Sequence, residues 1–447
     1  MFALPLSSWM HRRGLHFGWV VAAVTFLTML TSSAALGLPG ALLKPLGGEF
    51  GWNAGEISSA LALRFALFGL MGPFAATLME RYGLRRVVCT ALSLLALGML
   101  LSTRMTAVWQ LVVLWGIVLG LGSGFTAVVL GTVVANRWFD KRRGLVIGML
   151  TASSATGQLV FLPLAAWLVE HFGWRYAVFP VCTSCLITGL LAFCFLRDRP
   201  HELGIRAYGA PAPDLTTDDT QSATAAAIAD AGHAGHASQA SLAKWSTPFA
   251  VLYSVRGSAA FWILFGTFFI CGLSTSGLIQ THFISLCGDF GLSSVPAASA
   301  LAMMGAFDFF GTIASGWLSD RFDNRKLLFW YYGLRGLSLF WLPHSTFTLY
   351  GLSIFAMFYG LDWVATVPPT VKLTNAAFGK ERTGLVFGWI FAGHQIGAAV
   401  AAYGAGYART LLLTYTPALY AAGAACLVAS VVVFLIKRPP RAGALSH

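Results

Sequence analysis

Apolar stretches of roughly 16–25 residues alternate with short polar turns along almost the whole chain, each long enough to cross ~30 Å of hydrocarbon. In the first half they fall near residues 17–38, 57–78, 87–103, 108–134, 144–166 and 175–196. The second half repeats the rhythm near 258–284, 297–318, 327–343, 346–370, 383–405 and 414–436. In lipid a segment must satisfy its own backbone polar groups, which a helix does. The pattern therefore predicts an all-α membrane protein of about twelve transmembrane helices. One long polar stretch divides it into an N-terminal six-helix bundle over 1–196, a cytoplasmic linker over 197–257 and a C-terminal six-helix bundle over 258–447. The linker centre, 209–243, is rich in Ala, Thr, Ser, Asp and Gly without an apolar period, so disorder is expected there. The mixed apolar and basic stretch 244–256 predicts a short helix on the inner membrane surface.

The two halves are copies of one another. Glu80-Arg81-Tyr82-Gly83-Leu84-Arg85-Arg86 closes one apolar segment, and Asp320-Arg321-Phe322-Asp323-Asn324-Arg325-Lys326 closes another 240 residues later. The same offset relates Gly144-Leu145-Val146, Gly148 and Gly157 to Gly384-Leu385-Val386, Gly388 and Gly397. It also relates Gly37-Leu38 to Gly277-Leu278, and Glu49-Phe50-Gly51 to Asp289-Phe290-Gly291. A duplicated helical membrane domain with pseudo-symmetric halves is the architecture of secondary transporters.

Composition and charge narrow this further. With 57% hydrophobic and only 10% charged residues, a water-soluble globule is excluded. The net charge of +12 is not a nucleic-acid footprint, because the 29 Lys and Arg residues sort by loop. With the N-terminus inside, 23 lie in cytoplasmic segments, four in outer loops (Lys44, Arg104, Arg175, Arg409) and two within helices (Arg64, Arg335). That asymmetry places both termini in the cytoplasm, in a multi-pass protein of the cell inner membrane. The first apolar stretch follows Arg12 and Arg13 and is too long for a signal peptide, so it is expected to remain as an anchor. The seven cysteines lie mostly inside predicted helices, where they act as small apolar residues. Cys182 and Cys185 have no partner ligands, and His233 and His236 stand in the linker, so neither metal nor cofactor is expected.

The doubled motif sits where a helix leaves the inner leaflet. Its acid, Glu80 or Asp320, can pair with basic groups or cap a neighbouring helix N-terminus. With Arg81, Arg85, Arg321 and Arg325, these acids form candidate gating loops that hold the bundles together on one side. Preceded by Gly316-Trp317-Leu318-Ser319, the second copy resembles the hallmark loop motif of the major facilitator superfamily, and the six-plus-six layout and long central loop fit it along the whole chain. Ala76 replaces the motif's first Gly in the first copy, and Asp323 its turn Gly in the second. Within that superfamily four segments are similar to the monocarboxylate transporter branch and the bacterial oxalate/formate-type antiporters beside it. They are Phe17-Gly18-Trp19; Glu49-Phe50-Gly51-Trp52 with Glu56-Ile57-Ser58; Arg137-Trp138-Phe139 with Lys141-Arg142-Arg143-Gly144; and Phe172-Gly173-Trp174-Arg175. The resemblance implies proton- or anion-coupled movement of a small organic anion by a protein working as a monomer. It also implies that helices 1, 4, 7 and 10 line a cavity whose sides are shaped by 2, 5, 8 and 11. Thr312 stands where the family's helix 8 carries Arg one turn after an acid, here Asp308.

Ionisable groups left in hydrocarbon are costly unless paired or wetted, so they are the site candidates. At ~1.5 Å rise per residue, Arg64 lies about 12 Å below the outer surface, and Asp308 and His394 lie near the midplane. Arg335 and Asp362 fall at a common depth of roughly 12–14 Å from the inner surface. Arg64 suits an anionic carboxylate, or it snorkels to a helix end. Asp308 and Asp362 are candidate proton carriers, since desolvation favours the neutral carboxyl; Asp308 alternatively holds helices together as a neutral acid. His394 is a titratable contact or a packing group, and with Gln395, Gln158, Gln280 and His282 completes the candidate substrate-binding set. Arg335 and Asp362 are expected to form a structural ion pair. A drug or metabolite efflux antiporter shares this architecture and is the alternative; its helix 5 pattern is present only as Gly148 and Gly157. An intramembrane enzyme is disfavoured by the lack of an HExxH or paired-Asp motif, and a sensor by the simple polar linker.

Overall fold

The computed structural model describes residues 3–126, 128–210 and 247–437. Among them, ten helices are long and apolar enough to cross a membrane. Arg143–Phe172 and Asn324–Trp341 complete six in each half. The second of these carries Arg325, Lys326 and Arg335, which lowers its apolar character. The first half contains α1 (Gly18–Phe50), α2 (Ala54–Tyr82), α3 (Leu84–Ser102), α4 (Val108–Trp138), α5 (Arg143–Phe172) and α6 (Trp174–Phe195). The second contains α7 (Ala259–Asp289), α8 (Ser294–Arg321), α9 (Asn324–Trp341), α10 (Leu349–Phe378), α11 (Lys380–Leu412) and α12 (Thr416–Val432). The turns at Gly83, Arg142, Phe322 and Gly379 share one surface, called the basic face below.

Several helices outrun the apolar stretches that announced them. The first stretch ends at 38, before Pro39, yet α1 continues through Pro39 and Pro45 to Phe50. A proline removes one helical hydrogen bond, and packing against neighbouring helices in a membrane bundle offsets that loss. The close neighbour here is α7: a methyl group on Gly40 would sit 2.7 Å from the Gln280 carbonyl oxygen. The α1–α2 corner is built from local chemistry. Gly51 takes the left-handed conformation (φ 71°) that ends α1. Asn53 and Glu56 then form a capping box, with Glu56 N–H donating to Asn53 Oδ1 and Asn53 N–H to Glu56 Oε2, both at 2.9 Å.

Three seams join the halves: α2 packs along α11, α5 along α8, and the far end of α1 against α7. Inside the second half, α7 and α11 cross closely. A methyl on Gly272 would lie 1.7 Å from the His394 carbonyl oxygen, and one on Gly397 2.0 Å from that of Phe269. Only glycine permits this approach, which sets His394 beside the middle of α7.

The linker contributes more structure than its composition predicts. Residues 197–210 run back across the basic face of the first half as a strap. Asp198 Oδ1 accepts from Arg85 N–H at 3.0 Å, and Tyr208 N–H donates to the Trp138 carbonyl at 2.8 Å. The Tyr208 ring packs edge-on against His16 and Trp19. The strap is held by backbone pairing and rings rather than by an apolar period, so the sequence pattern does not reveal it. A short helix is present over Thr247–Val255, its Phe249 ring against Phe74 and Trp389. The low-complexity centre, with His233 and His236, falls outside the described residues apart from its first two positions.

Candidate functional site

A cavity of about 860 Å³ lies between the halves, lined from α1, α2, α4, α5, α7, α8, α10 and α11. It widens toward the basic face: Gly148, Gly316 and Gly384 border open space near the ends of α5, α8 and α11. At the opposite face it is closed. There a methyl on Gly406 would meet Ser58 Oγ at 2.2 Å, Gly55 N–H donates to Thr410 Oγ1 at 3.1 Å, and Lys44 pairs with Asp289 at 3.4 Å. A deep cavity open on one side, between two halves of a duplicated bundle, is a form that alternating-access transporters adopt.

The polar centre of the second half is organised by a break in α10. Pro368 and Pro369 cannot donate to the carbonyls of Val364 and Ala365, and the backbone turns over Trp363–Thr366 instead of continuing as helix. Side chains from other helices take up the freed groups. Ser315 Oγ donates to the Ala365 carbonyl at 2.5 Å, and Val364 N–H donates to Asp308 Oδ1 at 2.9 Å. The guanidinium of Arg335 donates to the Asp362 carbonyl at 2.5 Å and the Trp363 carbonyl at 3.2 Å. It also donates to Asp362 Oδ2 at 2.7 Å and to Cys271 Sγ at 2.9 Å. Thus Cys271, read from sequence as a small apolar residue, is part of a polar network; its thiol also meets Thr366 Oγ1 at 3.3 Å. The double proline was the available signal for this region, but not for which side chains satisfy it.

The candidate residues take different places in this frame. Asp308, Gln280, His394 and Gln395 line the cavity. Asp308 ties the broken turn of α10 through the Val364 N–H and accepts from Thr312 Oγ1 at 3.0 Å, so the residue replacing the family's Arg is its hydrogen-bond partner. Asp362 lies behind the wall, engaged by Arg335. His282 is away from the cavity, its Nε2 2.9 Å from the Ala402 carbonyl and its ring against Tyr415. Gln158 lies on α5, and its side chain is outside the described residues.

Arg64 is 2% exposed and is not itself part of the cavity wall, although Phe65 and Phe68 are. Its guanidinium sits 4.8 Å over the Phe65 ring, and Nε and Nη1 have no hydrogen-bond partner. No acid pairs with it among the described residues. It lies between the closed end at Ser58 and the crossing where Gly69 meets Gln395. Gln395 Oε1 and His394 Nδ1 are also buried without partners.

In the doubled motif, each acid binds a base two helices onward in its own half. Glu80 pairs with Arg137 of α4 at 2.5 Å, and with Arg199 of the strap at 3.5 Å. Asp320 pairs with Lys372 of α10. Arg325 is bound by Asp323 at 2.7 Å and by the Ile436 carbonyl at 3.0 Å. Arg321 lies over Trp317, Arg81 over Tyr82 and Arg85 over Phe193. These contacts all stay within one half, matching a cavity open at this face.

Duplicated six-helix bundles around a one-sided central cavity define a multi-pass membrane transporter rather than an enzyme. The profile of the Major Facilitator Superfamily matches residues 21–369, and the chain belongs to that family. It is 26% identical over 424 residues to monocarboxylate transporter 13 of Rattus norvegicus, covering 94% of this chain and 89% of the relative. It is 23% identical over 398 residues to the uncharacterized MFS-type transporter YcxA of Bacillus subtilis (strain 168), covering 87% of each. Among solved structures, a D-xylose-proton symporter superposes with a TM-score of 0.70 at 14% identity, covering 95% of this chain and 98% of that one, a likeness of fold alone.

Proposed function

We propose that the protein is a secondary active transporter that moves a small, monocarboxylate-like organic anion by alternating access, coupled to protons. The observation that carries this reading is Arg64. A guanidinium is charged under all ordinary conditions, and burying it without a counter-ion is costly. An anion reaching the closed end of the cavity past Phe65 would supply the missing partner, with Asp308 in the wall to carry the proton. The monocarboxylate transporters among the relatives point the same way. Uptake into proteoliposomes across a panel of carboxylates and lipophilic cations tests the proposal. A carboxylate should be taken up, and Arg64→Lys, which keeps the charge but not the fork, should weaken its binding by roughly 1–3 kcal/mol. Unaltered carboxylate affinity in Arg64→Gln would make the residue structural and remove this support.

One observation favours a second reading. No Lys or Arg is among the described residues lining the cavity, whereas Asp308 and several aromatic rings are. An acid amid rings also suits a lipophilic cation, as in a drug efflux antiporter. The same panel decides, since that protein would move the cations and ignore the carboxylates.

Orientation and gating belong to the same proposal. The basic face is read as cytoplasmic, in the inner membrane, on the positive-inside asymmetry. A cysteine introduced at Ala225 should then resist an impermeant thiol reagent in intact cells, and labelling from outside would reverse the assignment. Glu80 and Asp320 are read as gating groups that exchange partners when the basic face closes. Asp320→Asn should slow transport while leaving binding affinity in place; a large loss of affinity would place Asp320 in the site instead.

A further inference from the structure

On the open side of Arg64, the middle of the cavity has a feature that a short carboxylate would not use. Rings from both halves gather there. Phe68 of α2 lies 5.8 Å from Phe391 of α11, and Phe391 stacks parallel to His394 at 5.8 Å. Phe268 of α7 lies 4.9 Å from His394 and 5.7 Å from Phe387. All five face the cavity. The buried, unpartnered polar atoms sit at the edge of this cluster: His394 Nδ1 within it, Gln395 Oε1 on the next residue, and Arg64 Nε and Nη1 a turn further toward the closed end. A polar head-group position thus adjoins an aromatic chamber on its open side. The whole cavity, about 860 Å³, is several times the volume of a two- or three-carbon acid.

We propose that the preferred solute is a monocarboxylate bearing an aromatic ring. Its carboxylate would be held by the Arg64 guanidinium and by the side-chain N–H of Gln395, not its Oε1, and its ring received among Phe68, Phe268, Phe391 and His394. Apolar and ring-to-ring contact then supplies selectivity that a carboxylate alone cannot, because all monocarboxylates share the same head group. Phe68 and Phe391 touch across the two halves, so a ring packed against both also contacts the surfaces that move during alternating access. This inference rests on the organic-anion reading above and adds the class of anion.

The test compares phenylpyruvate with pyruvate, which share an α-keto acid head and differ by one phenyl group. Binding to the purified full chain is measured by equilibrium dialysis, and transport by protein-dependent uptake of each labelled acid into proteoliposomes. Phenylpyruvate should bind at least about tenfold more tightly, a modest return for burying one phenyl ring. Phe391→Leu and Phe68→Leu, one in each half, should each reduce that ratio several-fold; a folded member of the pair suffices. Equal affinities for the two acids, or a ratio unmoved in both variants, overturn the aromatic chamber while leaving the organic-anion reading in place. Binding of neither acid, with binding of tetraphenylphosphonium, overturns both and assigns the rings to a cation.

Discussion

Asp308→Asn is expected to abolish accumulation driven by a pH gradient while sparing exchange of labelled for unlabelled solute. Asp308 lies in the cavity wall, on the side open to the basic face, and in the proposed alternating-access cycle it would become reachable from the other side. In the proposed cycle a carboxyl group there can take a proton on one side and release it on the other. Asparagine mimics the neutral form permanently. It also keeps an oxygen to accept from Val364 N–H and Thr312 Oγ1, so the tie to the α10 turn survives the substitution. The geometry therefore separates two roles that composition leaves mixed. Asp308→Ala removes the tie to the Val364 amide as well, and should cost stability by roughly 1–3 kcal/mol in addition to the loss of coupling. Thermal unfolding in detergent beside gradient-driven uptake distinguishes the two variants. Loss of exchange in a stable Asp308→Asn protein would point to direct binding. Persistent accumulation would move the coupling to His394, or make the protein an anion exchanger without a proton step.

Arg335→Met should strongly destabilise the second half. The guanidinium is 1% exposed and holds the Asp362 carboxylate, two carbonyls of the broken α10 turn and the Cys271 thiol at once. Removing it leaves a buried carboxylate without its counter-ion and two carbonyls without donors. Breaking one side of a buried pair costs about 3–5 kcal/mol. Arg335→Met combined with Asp362→Leu should recover part of that loss, because the stranded charge is gone while the carbonyls remain unsatisfied. The midpoint of thermal unfolding reads both effects. A single variant as stable as the parent protein would show that the turn does not depend on this residue.

The Arg335 side chain illustrates what could be read before the fold was known. Its depth on a helix matches that of Asp362, and depth follows from counting residues along each helix. That count says nothing of the donors to the Asp362 and Trp363 carbonyls or of the thiol, which come from the rotation of three helices about their own axes. Arg64 shows the opposite outcome. Its depth was legible, but its position behind Phe65 rather than in the wall depends on how α2 turns toward α11. His282 was chosen for its polarity and lies against Ala402 and Tyr415, because α7 presents that face to α11 and not to the cavity. The aromatic chamber left no trace in the sequence pattern, since phenylalanine in a membrane helix is as compatible with lipid as with a cavity.

What the sequence by itself determined is the property that each segment carries alone. Length and apolarity decide which stretches cross the bilayer, a constant offset of 240 residues reveals the duplication, and the sorting of basic residues marks one face. Each of these is additive along the chain and needs no partner. The tertiary structure decided the pairings: Glu80 with Arg137, Asp320 with Lys372, and Asp308 with the Val364 amide. It also decided which side of the molecule is open and which residues face the opening. The physical reason is that hydrocarbon imposes the same demand on every polar group, to be satisfied, without specifying by which neighbour. Close helix crossings such as Gly272 on His394 supply that neighbour, and they exist only once the helices have packed.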